Sequence, residues 1–438
     1  MKLDCRLVAR GWNFMVNKLC TRPAAVRSYC NPQNERFKGE HMPKVAAGNL
    51  PRAPAWVGDD RAQMTLAVLI WLVPLLVISI LLAYNPLHRS VIPVYHQACA
   101  DWWAGKNLYT GVFGMHYLPQ FALIFSPFHW LPVPAGDILW VFCGTVLLAT
   151  GVWRFQRELF GADIALAFLY ATLFTVPLCL GALRNGQANV LFAALTVHAA
   201  ACLPRRQWWP AASLMVLAIG IKPLGVVLVL LSVVVYAPLR WRLVPVLAAL
   251  VLLPFLFSPA DYVIAQLRAF LANMQVCASI ADHRFADIGG VIRTFGWELP
   301  TGISKLVRVA AGGLTLGLWL IGTRRLCGTF RAMWLLALTA GYLMMFNPNN
   351  EPNSYVILAP VLGIWAVAAL NSSATRRLGW LMASISLSMS FLPNLLRPVF
   401  GNYFALFWHP MMAAVFVGML IYWLLRVDSH VVCMPANQ

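Results

Sequence analysis

The sequence is dominated by long apolar runs, which recur from Met64 almost to the C-terminus with short polar breaks between them. Hydrophobic residues make up 60% of the chain and charged residues 11%, whereas a soluble domain averages about 45–50% apolar residues. Backbone polar groups find no water inside a bilayer, so apolar runs of this length fold there as helices. The sequence therefore predicts an all-α polytopic membrane protein.

Twelve segments within residues 63–427 are predicted to be transmembrane helices, and together they form one polytopic domain. Several are shorter than the ~20 residues that a perpendicular helix needs, which indicates broken or partly embedded helices packed inside a bundle. The segments are 64–84, 137–155, 161–183, 188–203, 209–221, 223–237, 243–258, 303–323, 331–346, 354–371, 377–395 and 403–425.

The two ends of the chain are polar. Residues 1–62 form a basic, proline-containing stretch without an apolar run, so we expect a disordered cytoplasmic tail rather than a cleavable signal peptide. Met42 and Met64 are alternative translation starts, in which case this tail has no function. Residues 428–438 are a second, short cytoplasmic tail.

The net charge of +18 raises the question of a polyanionic partner. The basic residues lie at the ends of apolar segments and not along one amphipathic element, so we expect no nucleic-acid partner. The ten cysteines contain no Cys-x-x-Cys pair and have no suitably spaced histidines. We therefore expect neither a disulfide framework nor a metal site.

The stretch "YLPQFALIFSPFHWLP", residues 117–132, determines the topology. Three prolines interrupt it, so we expect it to lie at the interface without spanning. With a cytoplasmic N-terminus, the arginine clusters at helix ends then all face the cytoplasm, as the positive-inside rule requires. The prediction is a multi-pass protein of the cell (inner or plasma) membrane with both termini cytoplasmic.

The unusual polar motifs then gather on the extracytoplasmic face. They are "RNGQAN" at 184–189, the lysine of "GIKPLG", "FNPNNEPNSY" at 346–355, the first outer loop at 85–134 and the loop at 259–302. Chance would scatter such motifs over both faces. Their convergence predicts a functional cavity that opens to the outside and is bounded by the membrane.

Two cations in these motifs are candidates for binding a phosphate. Arg184 and Lys222 each follow an apolar helix, and a helix beginning near 185–189 would point the positive end of its dipole at the cavity. A lysine at the end of a short buried helix is costly unless an anion or water receives it. The alternatives are a capped turn for "RNGQAN" and a snorkelling lysine.

Candidate bases and sugar-binding groups come from the outer loops. Asp101 or His96 would serve as the base, with His116 and Glu351 as further candidates. The alternatives are a solvated Asp101 and asparagines that merely form turns. Residues predicted to bind the sugar or the acceptor are Asn185, Gln187, Asn189, His116, Tyr117, Asn347 and Asn353.

The loop at 259–302 contains a predicted amphipathic helix, residues 261–276, lying on the outer leaflet. The stretch "ADHRFADIGG" follows it, with Asp282, His283, Arg284 and Asp287. This region is either a lid over the cavity or a passive connector.

Taken together, the motifs resemble glycosyltransferase family 87. The matching stretches are "VYHQACADWWAGKNLY", "HYLPQFALIFSPFHWLP", "GQAN", "IKP" and "NPNNEPNSYVILAP", and the resemblance covers most of residues 64–425. It implies a type C glycosyltransferase-like helical bundle of about 12 transmembrane helices, with interfacial helices in the first outer loop. It also implies transfer of a hexose, often mannose, from a polyprenyl-phosphate donor without a metal or other cofactor.

One position departs from the family pattern. The resemblance leads us to expect a catalytic acid just before Val94 and Tyr95, where this chain reads "SVIP". Asp101 or a residue of another loop takes the role, or the protein has a different acceptor or is inactive.

The mechanism implied by the resemblance is inverting. Lys222 and Arg184 hold the lipid phosphate while a base deprotonates the acceptor hydroxyl, and the partners are membrane lipids, the lipid-linked sugar and a glycolipid or glycan acceptor. A polyprenyl-linked glycolipid flippase or secondary transporter is the main alternative, but it should show inverted repeats and midplane polar groups. A non-catalytic scaffold is a third.

Overall fold

The structure, a computed structural model, describes residues 50–51, 58–85, 87–110, 115–161, 164–279 and 285–426. All of these residues belong to one compact unit, Lys44–Gln438. Within them there is no strand, and sixteen α-helices follow one another: α1 (Asp60–Tyr84), α2 (Ile92–Trp103), α3 (Gln120–His129), α4 (Val133–Phe160), α5 (Ala165–Arg184), α6 (Asn189–Cys202), α7 (Trp208–Ile221), α8 (Val226–Val235), α9 (Ala237–Leu252), α10 (Ala260–Ser279), α11 (Ile288–Thr294), α12 (Thr301–Arg325), α13 (Gly328–Phe346), α14 (Ala359–Leu370), α15 (Arg376–Phe400) and α16 (Tyr403–Arg426). Three 3-10 helices, Pro223–Gly225, Leu253–Leu256 and Pro352–Ile357, connect some of them.

Each of the twelve predicted segments coincides with a helix. In the described part of the chain, eight helices are long and apolar enough to cross a membrane, namely α1, α4, α5, α9 with its 3-10 extension, α12, α13, α15 and α16. Four shorter apolar stretches, α6, α7, 223–235 and α14, are the remaining predicted segments. The all-α polytopic architecture is thus confirmed, whereas crossing by all twelve stays a prediction.

Two short helices, α6 and α14, form the buried centre of the bundle. Nearly every residue of both is buried, whereas only a few residues of the long helix α12 are buried. Helix α6 packs against α4 and α7, and α14 packs against α5 and α15. Five alanines of α6 have no exposed surface, and such small side chains let helices approach closely. Because neighbouring helices surround α6 and α14, they need not match the bilayer thickness themselves.

The turn between α5 and α6 is fixed by a glycine. Gly186 has a φ of +63°, and a Cβ at this position would collide with the side chain of Ile92. The indole of Trp140 donates to the Gly186 carbonyl at 2.9 Å, and the Val91 N–H donates to the Asn185 carbonyl at 3.0 Å. The beginning of α6 is therefore held against α4 and the chain preceding α2.

The first outer loop contains two helices, α2 and α3, which pack on each other. Helix α3 has ten residues, about 15 Å of helix, which is half of what a bilayer core requires. Its length agrees with the prediction that 117–132 does not span.

The predicted amphipathic helix 261–276 lies within α10. Helix α10 has 20 residues and is long enough to cross a membrane, but it is not among the helices apolar enough to do so. Asp282, His283 and Arg284 lie outside the described residues, as do residues 428–438 and most of 1–62.

Candidate active site

A chain of hydrogen bonds joins three motifs that are distant in sequence. The Lys222 ammonium donates to Asn189 Oδ1 at 2.6 Å, and the Asn189 amide donates to Gln187 Oε1 at 2.9 Å. The Gln187 amide then donates to Glu351 Oε2 at 3.2 Å. The structure thus brings together Lys222, the amides of "RNGQAN" and the carboxylate of "NNEPNSY", as the sequence predicts.

The position of Lys222 follows from the end of α7. Pro223 cannot continue the helix, and the Lys222 backbone is extended, with φ −151° and ψ 127°. Burial lowers the pKa of its ammonium from 10.5 to about 8, while the nearby charge of Glu351 acts in the opposite direction. An ammonium has three donors, and Asn189 accepts one of them.

Arg184 lies at the same turn but belongs to the preceding helix. It is the last residue of α5, and Asn185 follows as the C-cap, so the predicted helix begins only at Asn189. The Nη1 atom of Arg184 is buried and has no hydrogen-bond partner among the described residues. Its position at the C-terminus of α5 also suits the helix dipole.

The loop that carries Glu351 is seated by a 3-10 helix, Pro352–Ile357, which packs against α5, α6 and α13. Asn189 also donates to the hydroxyl of Ser354, at 3.3 Å. The side-chain oxygen of Asn353 lies directly against Gly181, where a Cβ would collide with it. Ser354 was not a predicted site residue, although it stands within the quoted motif.

Two tyrosines of the first outer loop reach the beginning of α6. The Ala188 N–H donates to Tyr95 Oη at 3.1 Å, and the hydroxyls of Tyr95 and Tyr117 are 3.0 Å apart. Burial raises the pKa of the Tyr95 phenol well above its ordinary value and that of Tyr117 to about 12, so both phenols remain neutral hydrogen-bonding groups at physiological pH. Tyr117 was predicted as a binding residue. Tyr95 was not predicted, because only the fold brings its hydroxyl to Ala188.

His116 connects the first outer loop to α10. Its Nδ1 is 3.2 Å from the Cys277 sulfur, and burial together with the charge of Lys222 lowers its pKa. The Asn349 amide donates to the Cys277 carbonyl at 2.8 Å. Helix α10 therefore links His116 to the loop that carries Glu351.

The other two predicted bases, Asp101 and His96, have different hydrogen-bond partners. Asp101 accepts a hydrogen bond from Gln97 at 3.0 Å. His96 is 2.8 Å from the buried carboxylate of Asp137 through Nε2 and 3.0 Å from His129 through Nδ1. No hydrogen bond joins Asp101 or His96 to Lys222 or Glu351 in the part of the chain that is described.

Asn347 makes a local contact. Its amide donates to the side chain of Asn350 at 2.9 Å, and the Asn350 amide donates to the last carbonyls of α13. This arrangement favours the turn-forming alternative for Asn347. Asn350 caps α13 and thereby fixes where the loop begins.

Metal coordination is not provided for within the described ranges. No group of three His, Cys, Asp or Glu side chains there is placed to hold a metal ion. Cys99, Cys143, Cys179, Cys202 and Cys277 form no disulfide bond among the described residues.

The sequence was compared with known families and proteins. The model of glycosyltransferase family 87 matches residues 115–348, more than half of the chain. This chain belongs to glycosyltransferase family 87. The match contains Arg184 and Lys222 and ends three residues before Glu351. Together with its apolar helices, this membership makes the protein a multi-pass membrane glycosyltransferase.

A curated relative carries the name polyprenol-phosphate-mannose-dependent alpha-(1-2)-phosphatidylinositol mannoside mannosyltransferase and comes from Mycobacterium tuberculosis (strain ATCC 25618 / H37Rv). It is 28% identical over an alignment of 202 residues, and the match covers 39% of this chain. The match spans 46%, about half, of the relative's length. No solved structure matched the chain.

Proposed function

We propose that this family 87 enzyme transfers mannose from a polyprenyl-phosphate donor to a glycolipid or glycan acceptor on the extracytoplasmic face of the cell membrane. The observation that carries the proposal is the hydrogen-bonded chain from Lys222 through Asn189 and Gln187 to Glu351. It sets a cation and a carboxylate at one site, which are the two charges that glycosyl transfer from a lipid phosphate requires. The name of the mycobacterial relative supports the donor and the lipid acceptor.

The donor phosphate is assigned to the cationic end of the site. Lys222 and Arg184 both have hydrogen-bond donors that no described residue accepts. The amino end of α6, at Asn189, adds the positive end of a helix dipole. No cofactor is proposed, because the lipid phosphate itself is the leaving group.

Glu351 is assigned as the base. In the proposed reaction it takes the proton of the acceptor hydroxyl, whose oxygen attacks the anomeric carbon of the sugar. The bond from that carbon to the phosphate oxygen breaks, and the lipid phosphate departs with the electron pair, stabilised by Lys222 and Arg184. One carboxylate at the site fits a single displacement, which inverts the anomeric configuration.

The neutral groups around this pair are assigned to the sugars. Tyr117 and His116 from the first outer loop, together with Gln187 and Asn189, offer hydrogen bonds to hydroxyl groups without adding charge. Asn185, which follows α5, and Asn353, which lies against Gly181, keep this role as a prediction. Asp101 and His96 remain alternative bases.

The orientation rests on the basic residues at helix ends. With Lys222 and Glu351 outside, the arginines that end α4, α12 and α16 face the cytoplasm, together with both termini. The substrate site then opens to the extracytoplasmic side, where its partners would be lipid-linked sugars and membrane lipids.

The purified protein in proteoliposomes tests this proposal, with radiolabelled polyprenyl-phosphate mannose and a lipid extract from the native host. A labelled product formed by the wild type, and lost in Lys222→Ala, is the expected result. Movement of the labelled lipid across the bilayer without any product would replace the transferase by a flippase. A product formed equally by Lys222→Ala would remove the proposed site.

A further inference from the structure

Three side chains from the two outer loops form a hydrogen-bonded chain with one consistent direction. The Asn273 amide donates through Nδ2 to the Met115 carbonyl at 3.0 Å, which leaves its Oδ1 as an acceptor. The Cys277 thiol donates to this oxygen, with 3.6 Å between sulfur and oxygen. Because a thiol has a single proton, the sulfur is the acceptor toward His116 Nδ1, which lies 3.2 Å away. His116 therefore carries its proton on Nδ1.

The other ring nitrogen of His116, Nε2, is consequently a hydrogen-bond acceptor. In a neutral imidazole with its proton on Nδ1, Nε2 has a lone pair and no hydrogen. Burial and the charge of Lys222 both lower the pKa of His116, which keeps the ring neutral at physiological pH. Burial raises the pKa of the Cys277 thiol, so the thiol keeps the proton that it donates. The His116 side chain is half-buried, and in the described part of the chain no group is hydrogen-bonded to Nε2.

The support of this ring is fixed, because α10 is attached to the first outer loop at further points. The Tyr262 hydroxyl donates to the Lys106 carbonyl at 2.7 Å, and the Leu108 N–H donates to the side chain of Gln266 at 3.0 Å. Gln266 and Cys277 are 4% and 2% exposed. Buried polar groups whose partners are all in place form a rigid network. Helix α10 therefore holds the sulfur of Cys277 in one position relative to the first outer loop.

The same contacts connect His116 to the candidate active site. The Cys277 carbonyl accepts a hydrogen bond at 2.8 Å from the amide of Asn349, in the loop that carries Glu351. Tyr117, the residue after His116, belongs to the tyrosine pair at the beginning of α6. Through its ring and through its backbone, His116 is therefore tied to two parts of the candidate active site.

We propose that His116 Nε2 accepts a hydrogen bond from a hydroxyl group of a sugar substrate, and that Cys277 and Asn273 are the positioning residues that fix the ring for this contact. The inference rests on the proposed function and adds a determinant of specificity to it. A nitrogen without a proton selects a group that donates, so it favours a hydroxyl over a fluorine at the same carbon. The donor sugar and an acceptor sugar both carry hydroxyls, and the test distinguishes between them.

The test measures affinities, which do not depend on turnover. The ligands are polyprenyl-phosphate mannose and octyl α-mannoside, as probes of the donor and the acceptor, and analogues of each in which one hydroxyl at a time is replaced by fluorine. In the wild type we expect at least one analogue to bind about five- to ten-fold more weakly than its parent, the effect of one lost hydrogen bond. The series that contains this analogue identifies the sugar. Equal affinity for every analogue in both series would overturn the inference.

The variants assign the loss to His116. His116→Ala should bind the sensitive analogue and its parent equally, because the contact no longer exists. Cys277→Ala should lose most of the discrimination, since the ring is then free to carry its proton on either nitrogen. Cys277→Ser should retain it, because a hydroxyl also donates to Asn273 and accepts from the ring. Cys143→Ala, at a half-buried cysteine of α4, should behave as the wild type.

Two comparisons separate this inference from a structural role and from the transferase proposal. Polyprenyl phosphate, which carries no sugar, should bind equally to all variants, and this binding shows that each variant is folded. Discrimination that persists in His116→Ala, or that Cys277→Ala and Cys277→Ser retain equally, would overturn the inference. Discrimination in binding without any transfer would instead refute the proposed function and support the sugar contact.

Discussion

Lys222 donates a hydrogen bond to the side-chain oxygen of Asn189 at 2.6 Å, which joins the end of α7 to the beginning of α6. The pair places an ammonium at the positive end of a buried helix, where both features attract an anion. Because the motifs of these two residues are 33 positions apart, the contact exists only in the folded bundle.

Removal of the Lys222 charge should abolish transfer. We expect Lys222→Met to lower kcat by about 10²–10³-fold, the usual effect of removing one group that stabilises the charge of the transition state. Lys106→Met is the matched control, because Lys106 is an exposed lysine of the first outer loop, and should keep wild-type rates. Initial-rate assays on both variants make the comparison, and equal losses would argue against a specific role of Lys222.

The lowered pKa of Lys222 predicts a pH dependence. Since burial brings that pKa to about 8, the free enzyme loses the cation as the pH rises through this value. The kcat/KM for the donor should fall above this pH, which we call the alkaline limb of the profile. The alkaline limb of kcat should lie at a higher pH, because bound phosphate raises the pKa of Lys222. Lys222→Arg should be slower but lack the limb, because a guanidinium stays charged. A limb that persists in Lys222→Arg would assign it to another group.

Glu351 should affect chemistry more than binding. Glu351→Gln retains an acceptor for the Gln187 amide but cannot take a proton, so we expect kcat to fall by about 10²–10⁴-fold with little change in donor KM. Glu298→Gln, at an exposed glutamate, and Asp101→Asn serve as comparisons. A larger loss in Asp101→Asn than in Glu351→Gln would transfer the role of base to Asp101.

The contact between Gly181 and Asn353 can be tested by a double-mutant cycle. A methyl group at Gly181 would collide with the Asn353 amide and displace the loop of Glu351. We expect Gly181→Ala to lower kcat/KM about ten-fold or more, since small misplacements of catalytic groups are costly. The added substitution Asn353→Ala should recover part of the loss. Gly317→Ala, where a Cβ has open space, should be harmless, and additive effects in the cycle would contradict the steric explanation.

Much of this architecture could be predicted because it follows from local patterns. Apolar runs gave the twelve helical segments, and the prolines of 117–132 indicated a helix that does not span. The convergence of Lys222, Gln187 and Glu351 was predicted from topology alone, since alternating spans bring the motifs to one face.

The remaining contacts depend on helix packing, which the sequence does not reveal. The Tyr95 hydroxyl meets Ala188 only because the fold brings α2 to the turn before α6, and His96 is hydrogen-bonded to Asp137, which is 41 residues further along. Arg184 lies at the end of the apolar helix α5, as predicted, and the turn at Gly186 separates it from the beginning of α6.

The most direct test of the account is the affinity of the purified protein for polyprenyl phosphate and for the corresponding neutral polyprenol, measured with wild type, Lys222→Met and Lys106→Met. The account predicts that Lys222→Met weakens binding of the phosphate by about ten-fold or more, as the loss of a charge-assisted contact should, and leaves the alcohol unaffected. Unchanged phosphate affinity in Lys222→Met, or an equal loss for the alcohol, would contradict a lipid-phosphate site at Lys222 and Asn189.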